Sequence, residues 1–159
     1  MIAKLENNGD RISRRGAIAG AASFALAPMT AIPASATPET MAAAVSDAVG
    51  DGKITPGRVR IEAPRLAENG NSVQIIVSVD SPMTAADHVK TITVFSEQNP
   101  IPTVIRFRLG PRAGRAKVAT SIRLAATQRV LAVAAMSDGS HWSGEAQVIV
   151  TLAACLDGS

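Results

Sequence analysis

From residue 53 onward the chain alternates between apolar and polar positions. In SVQIIVSVD (72–80), Val73, Ile75, Val77 and Val79 share one parity and Gln74, Ile76 and Ser78 the other, the period-two signature of a strand with one face buried. AKVATSIRL (116–124) sets Val118, Thr120, Ile122 and Leu124 on one face, and EAQVIVTL (145–152) does the same with Ala146, Val148, Val150 and Leu152. Val59-Arg60-Ile61, HVKTITVF (88–95), TVIRFRL (103–109) and RVLAVAAM (129–136) bring the number of short strands to seven. Turn-forming clusters punctuate them: Glu68-Asn69-Gly70-Asn71, Ser81-Pro82, Asn99-Pro100, Gly110-Pro111 and Asp138-Gly139. Seven strands at near-regular spacing predict an antiparallel β-sandwich over residues 53–152. Ahead of it the period changes. PETMAAAVSDAV (38–49) has Met41, Val45 and Ala48 at helical spacing, Thr37 as an N-cap, Pro38 in the first turn and Gly50 as a stop. Residues 37–52 therefore read as a short amphipathic helix and linker.

One strand breaks the alternation. Leu131-Ala132-Val133-Ala134-Ala135-Met136 is apolar on both faces, so one face belongs to the sandwich core and the other needs a cover, either the N-terminal helix or a partner subunit. The core itself is thin. The aromatic residues are Phe24, Phe95, Phe107 and Trp142, with no tyrosine, which leaves the packing to aliphatic and alanine side chains.

At 159 residues the chain suffices for one domain with a real core. Its formal net charge of +3 misleads about the body, because four of the sixteen Lys and Arg (Lys4, Arg11, Arg14, Arg15) precede Gly16 along with only two of the thirteen acids, Glu6 and Asp10. Twelve cations and eleven anions remain, so no concentrated basic face calls for nucleic acid. The excess has another explanation. Ser13-Arg14-Arg15-Gly16-Ala17-Ile18 holds a twin-arginine pair, Ala17 to Ala27 is modestly apolar, and Ala34-Ser35-Ala36 offers a cleavage site. Residues 1–36 thus read as a Tat export signal, and the expected location is the bacterial periplasm. As a membrane anchor the run is too rich in Ala and Gly and is interrupted by Pro28 and Pro33.

The candidate chemistry is sparse. The histidines, His88 and His141, stand at no metal-ligand spacing to one another or to the single cysteine, and no glycine-rich loop opens a helix to cradle a nucleotide. No cofactor is expected. Asp138, Ser140 and His141 have the residue types of a hydrolytic triad but crowd one turn, where side chains diverge. Arg106, Arg108, Arg112, Arg115 and Lys117 form a local basic stretch, read as a solvated hairpin in preference to a docking surface. Leu152-Ala153-Ala154-Cys155 resembles a lipidation motif, but at the wrong end of the chain.

That leaves Cys155, four residues from the terminus on a tail (153–159) too short to fold back as a packed element, so an exposed thiol is expected. An exposed thiol of ordinary pKa near 8.5 is about 3% ionised at pH 7, enough to react inside a protein that activates it. Asp157 disfavours the thiolate, so activation from outside fits better than autonomous reactivity. An incidental free thiol, or a disulfide that merely links two chains, also satisfies the residues.

Leu66 to Thr84, His88 to Leu109 and Arg129 to Trp142, with the phrases NGNSV, VDSPMT and MSDGS and a terminal cysteine after VIVTL, resemble SoxY, the sulfur-carrier family of bacterial thiosulfate oxidation. The resemblance implies an immunoglobulin-like sandwich that pairs with a smaller SoxZ-like subunit and holds sulfur intermediates covalently on Cys155. It implies a carrier acted on by partner enzymes: a haem enzyme that conjugates thiosulfate to the thiol, a hydrolase that releases the sulfonate as sulfate, and a molybdenum–haem sulfane dehydrogenase. The carrier is not itself an enzyme. Where the family keeps Gly-Gly-Cys-Gly-Gly, this chain has Ala153-Ala154-Cys155-Leu156-Asp157, a bulkier and stiffer tail. A different reading, from another class, is a non-covalent binding or structural sandwich in which the thiol is incidental.

Overall fold

The structure is a computed structural model that describes residues 37–152. The export signal expected over residues 1–36 and the arm at 153–159, with Cys155, lie outside the described residues.

Helix α1 (Pro38–Val49) begins and ends where its capping residues place it. Thr37 adopts an extended backbone, its hydroxyl accepts from the Thr40 N–H, and the Thr40 hydroxyl accepts in return from the Thr37 N–H, a reciprocal cap. Gly50, at a φ of 64°, turns the chain out of the helix. The strands follow: β1 (Ile54–Pro56), β2 (Val59–Glu62), β3 (Leu66–Ala67), β4 (Val73–Val79), β5 (Val89–Ser96), β6 (Thr103–Arg108), a 3-10 turn at Pro111–Ala113, then β7 (Lys117–Ile122), β8 (Gln128–Met136) and β9 (His141–Val150).

They form two sheets. The larger runs β1-β9-β8-β5-β6, with β3 also on β9, and the smaller runs β2-β4-β7. The seven strands visible in the hydrophobic pattern are all present and pair antiparallel within the sheets. Beyond these, β1 and β3 run parallel to the two ends of β9, Ile54 beside His141 and Leu66 beside Ile149. Segments of two and three residues carry no periodicity, which is why the alternation did not reveal them. The basic stretch also differs from expectation: β6 and β7 lie in different sheets, so the segment is a crossover and not a hairpin. Its side chains are exposed, and Arg106 Nε donates to Thr93 Oγ1 at 3.3 Å.

The core lies between the sheets. Val73, Ile75, Val77 and Val79 of β4 face Ile92 and Val94 of β5, the even-numbered residues Val130 to Met136 of β8, and Val148 of β9. On the outer face of the large sheet, Phe95 and Val133 are buried under Met41 of α1, with Ala44, Val45, Ala48 and Val49 around them. The second apolar face of β8 is thus covered by the chain's own helix. Each such side chain removed from water contributes about 1.5–3 kcal/mol.

Candidate functional site

The tail that carries Cys155 starts from a defined place. After β9 ends, the Thr151 N–H donates to the Ala67 carbonyl at 3.1 Å, the Leu152 N–H to the Glu68 carbonyl at 3.2 Å, and the Thr151 hydroxyl to the Glu68 carbonyl at 3.1 Å. The Asn69-Gly70-Asn71 turn closes the arrangement. The Gly70 N–H donates to the Leu152 carbonyl at 2.8 Å, its carbonyl accepts from the Leu124 N–H at 2.8 Å, and the Asn69 side chain holds the Asn71 N–H at 2.9 Å. The NGN phrase therefore fastens the root of the tail to the loop between β7 and β8. Thr127 completes the clamp: its hydroxyl accepts from the Val150 N–H at 2.9 Å and donates back to the Val150 carbonyl at 3.4 Å.

A buried polar network stiffens this end of the sandwich. Gln128, 1% exposed, accepts from the Gln98 N–H at 2.7 Å and donates to Asn99 Oδ1 at 3.0 Å and to the Ala126 carbonyl at 3.2 Å. Asn99 in turn donates to the Arg123 carbonyl at 2.8 Å and accepts from the Ala125 N–H at 3.0 Å. The β5–β6 loop, the β7–β8 loop and the end of β9 are locked together, since every buried amide group here has a partner. Sequence reasoning passed over Gln128 and Asn99. In the sequence Gln98, Asn99 and Gln128 are three amides with nothing local to mark them as buried.

The other candidates sit elsewhere. His141 opens β9 and His88 precedes β5, both at the opposite end of the sandwich from Val150. Nine residue steps of strand separate His141 from Val150, about 30 Å. The three steps from Leu152 to Cys155 span about 10 Å at most, so neither histidine serves as a base or co-ligand for that thiol. Asp138, Ser140 and His141 do not assemble a triad. Asp138 Oδ1 accepts from both the N–H and the hydroxyl of Ser140, at 2.8 and 2.7 Å, and these bonds hold the Asp138 carboxyl below its usual pKa. Trp142 Nε1 donates to the same hydroxyl at 3.1 Å, while Arg58 stacks 5.4 Å from the Trp142 ring centre. His141 Nδ1 is buried with no partner, packed toward Gly52. This is a stapled turn, with the hydroxyl committed to its neighbours. Among the described residues no cluster of three His, Cys, Asp or Glu side chains is arranged for a metal ion, and no helix is long and apolar enough to cross a membrane.

The described residues define the class of the fold, an immunoglobulin-like β-sandwich with one short helix on the large sheet. The family described as "Sulfur oxidation protein SoxY" matches residues 45–155, and the chain belongs to that family. Among solved structures, the sulfur carrier protein SoxY from Chlorobium limicola f thiosulfatophilum is similar at 26% identity and a TM-score of 0.61, over 72% of this chain and 98% of that one. Superoxide reductase (neelaredoxin) from Ignicoccus hospitalis is similar at 21% identity and a TM-score of 0.53, over 74% of this chain and 95% of its own. A putative superoxide reductase from Thermotoga maritima aligns at 22% identity and a TM-score of 0.50, over 64% and 89% of the two chains. At those identities the likeness to the reductases concerns the fold alone. A comparison with curated protein sequences finds no match.

Proposed function

We propose that this chain is a periplasmic sulfur carrier, exported through its twin-arginine signal, that holds sulfur intermediates covalently on Sγ of Cys155 while partner enzymes act on them. The observation that carries the reading is that the family match runs along the sandwich and through Cys155 itself. The pinned root of the tail supports it, by presenting the last described residue at one pole, far from any imidazole. A thiol without a local base is suited to a carrier, because reactivity is then supplied only inside the enzyme that binds it.

Loading with thiosulfate joins the Cys155 sulfur to the sulfane sulfur: RSH and S2O3 2− give R–S–S–SO3−, a proton and two electrons, and the electrons pass to a haem-bearing conjugating enzyme. Hydrolysis by a second enzyme then adds water, releases sulfate and two protons, and leaves the persulfide anion on Cys155. A sulfane dehydrogenase takes the remaining sulfur onward, and a SoxZ-like subunit accompanies the carrier. The sandwich contributes attachment and presentation in each step.

Intact-mass analysis of the chain from its native host, grown on thiosulfate, tests this. Adducts of sulfur or thiosulfate mass on Cys155, removed by a thiol reductant, are expected. Cys155→Ser should carry none and should abolish thiosulfate-dependent growth. A host that grows normally on thiosulfate with the serine variant would show the thiol to be incidental.

A further inference from the structure

From Gln98 to Ser137 the chain holds no Asp or Glu, and Arg106, Arg108, Arg112, Arg115 and Lys117 fall on β6, the crossover and the start of β7. Lys90 lies beside them, because the Leu109 N–H donates to the Lys90 carbonyl at 2.9 Å. All six cationic residues are exposed. None of them forms an ion pair among the described residues, where the pairs involve Arg58 and Arg129 alone. Among the described strands both are also terminal, β6 in the large sheet and β7 in the small one. The basic stretch therefore coincides with a free strand edge.

The register fixes what that edge offers. Leu109 bonds across to β5, and backbone groups alternate in direction along a strand, so Ile105 and Phe107 turn theirs toward β5 while Arg106 and Arg108 turn theirs outward. The side chains alternate too. Ile105 and Phe107, opposite Val94 and Ile92, pack against the core, whereas Arg106 and Arg108, opposite Thr93 and Thr91, stand on the outer face. A strand added here would gain main-chain hydrogen bonds and would meet apolar and cationic residues by turns. We infer that an extended segment of another protein, with acidic and apolar residues in alternation, pairs with the free edge of β6. The β6 edge of a second copy does not fit, since it would set arginine against arginine. A lipid surface matches the charge but brings no strand to meet the outward N–H and C=O groups. Lys90, Arg112, Arg115 and Lys117 add attraction at longer range, so the association weakens as salt is raised. The inference goes beyond the carrier reading and does not need Cys155.

The test uses the purified full chain and two short blocked peptides as probes, one of alternating Glu and Val and one with Lys in place of each Glu. Amide hydrogen exchange is the readout. At saturation the Glu peptide should slow exchange of the Arg106 and Arg108 amides at least tenfold and leave the β4 amides as they were. The Lys peptide should slow neither, and high salt should abolish the effect of the Glu peptide. Arg106→Glu combined with Arg108→Glu should reverse the preference, so that the Lys peptide now protects β6. Both positions are exposed, and thermal unfolding checks that the variant is folded. Should it not fold, Arg106→Gln with Arg108→Gln removes the charges without reversing them, and the Glu peptide should then bind at least tenfold more weakly than to the parent. Cys155→Ser should bind the Glu peptide as the parent does, which keeps this result separate from the fate of the carrier reading. No protection of β6 by the Glu peptide, equal protection by both peptides, or protection that survives the arginine substitutions unchanged would overturn the inference.

Discussion

Gly144 shows how closely the two sheets approach. It pairs with Ala132 on β8, and a Cβ built on it would overlap the backbone carbonyl of Val59 on β2. The absent side chain lets an edge strand of the small sheet lie directly on β9, where two aliphatic layers would otherwise intervene. Because the obstacle is backbone, no rotamer change relieves it. Gly144→Ala should therefore cost about 1–3 kcal/mol, read as a lower midpoint in thermal unfolding. An unchanged midpoint would mean that β2 can shift freely off β9. The sequence placed Gly144 just ahead of the strand read at 145–152, and the structure extends that strand back to His141, so the close backbone approach was not visible there. Gln128 was less legible still. Its role depends on Gln98 and Asn99, some thirty positions away in sequence, meeting it in space.

At the level of elements, legibility followed length and regularity. The helix could be delimited because Thr37, Pro38 and Gly50 act locally, and β4 could be read because its seven residues alternate without exception between buried and exposed or half-buried. The parallel strands β1 and β3 could not, since their pairing is set by the course of β9 and not by their own residues. The doubly apolar β8 posed a choice between helix and partner that only packing decides, and Met41 over Phe95 and Val133 decides it. Met41→Ala should weaken that docking by about 2 kcal/mol. The effect should be local, raising hydrogen exchange of the α1 amides about 30-fold by the same free energy, while the amides of β4 and β8 exchange as before. Equal acceleration throughout the sandwich would show that the helix is part of one cooperative unit with the core.

At the scale of the whole molecule, the sandwich separates two poles of different character. One is closed by the Asp138–Ser140–Trp142 staple with Arg58 stacked on the indole. The other gathers the exposed aliphatics and the hydrogen-bonded root of the tail. The lone cysteine and its distance from the terminus were plain in the sequence, but the pole could not be seen there, because Leu66, Ile101 and Ile149 come together only through folding. On the proposed carrier role, the number of residues between Leu152 and Cys155 is a functional quantity. Deleting Ala153 and Ala154 would put the cysteine one step from Leu152, cutting its reach from about 10 Å to about 3.5 Å. The described end of the sandwich would be unchanged, yet the sulfur could no longer enter a recessed active site. The deletion should thus reduce adduct formation in the native host at least tenfold, while iodoacetamide still labels the purified chain. Normal loading of the shortened chain would mean that the enzyme works at the surface of the pole, with no cleft for the tail to enter.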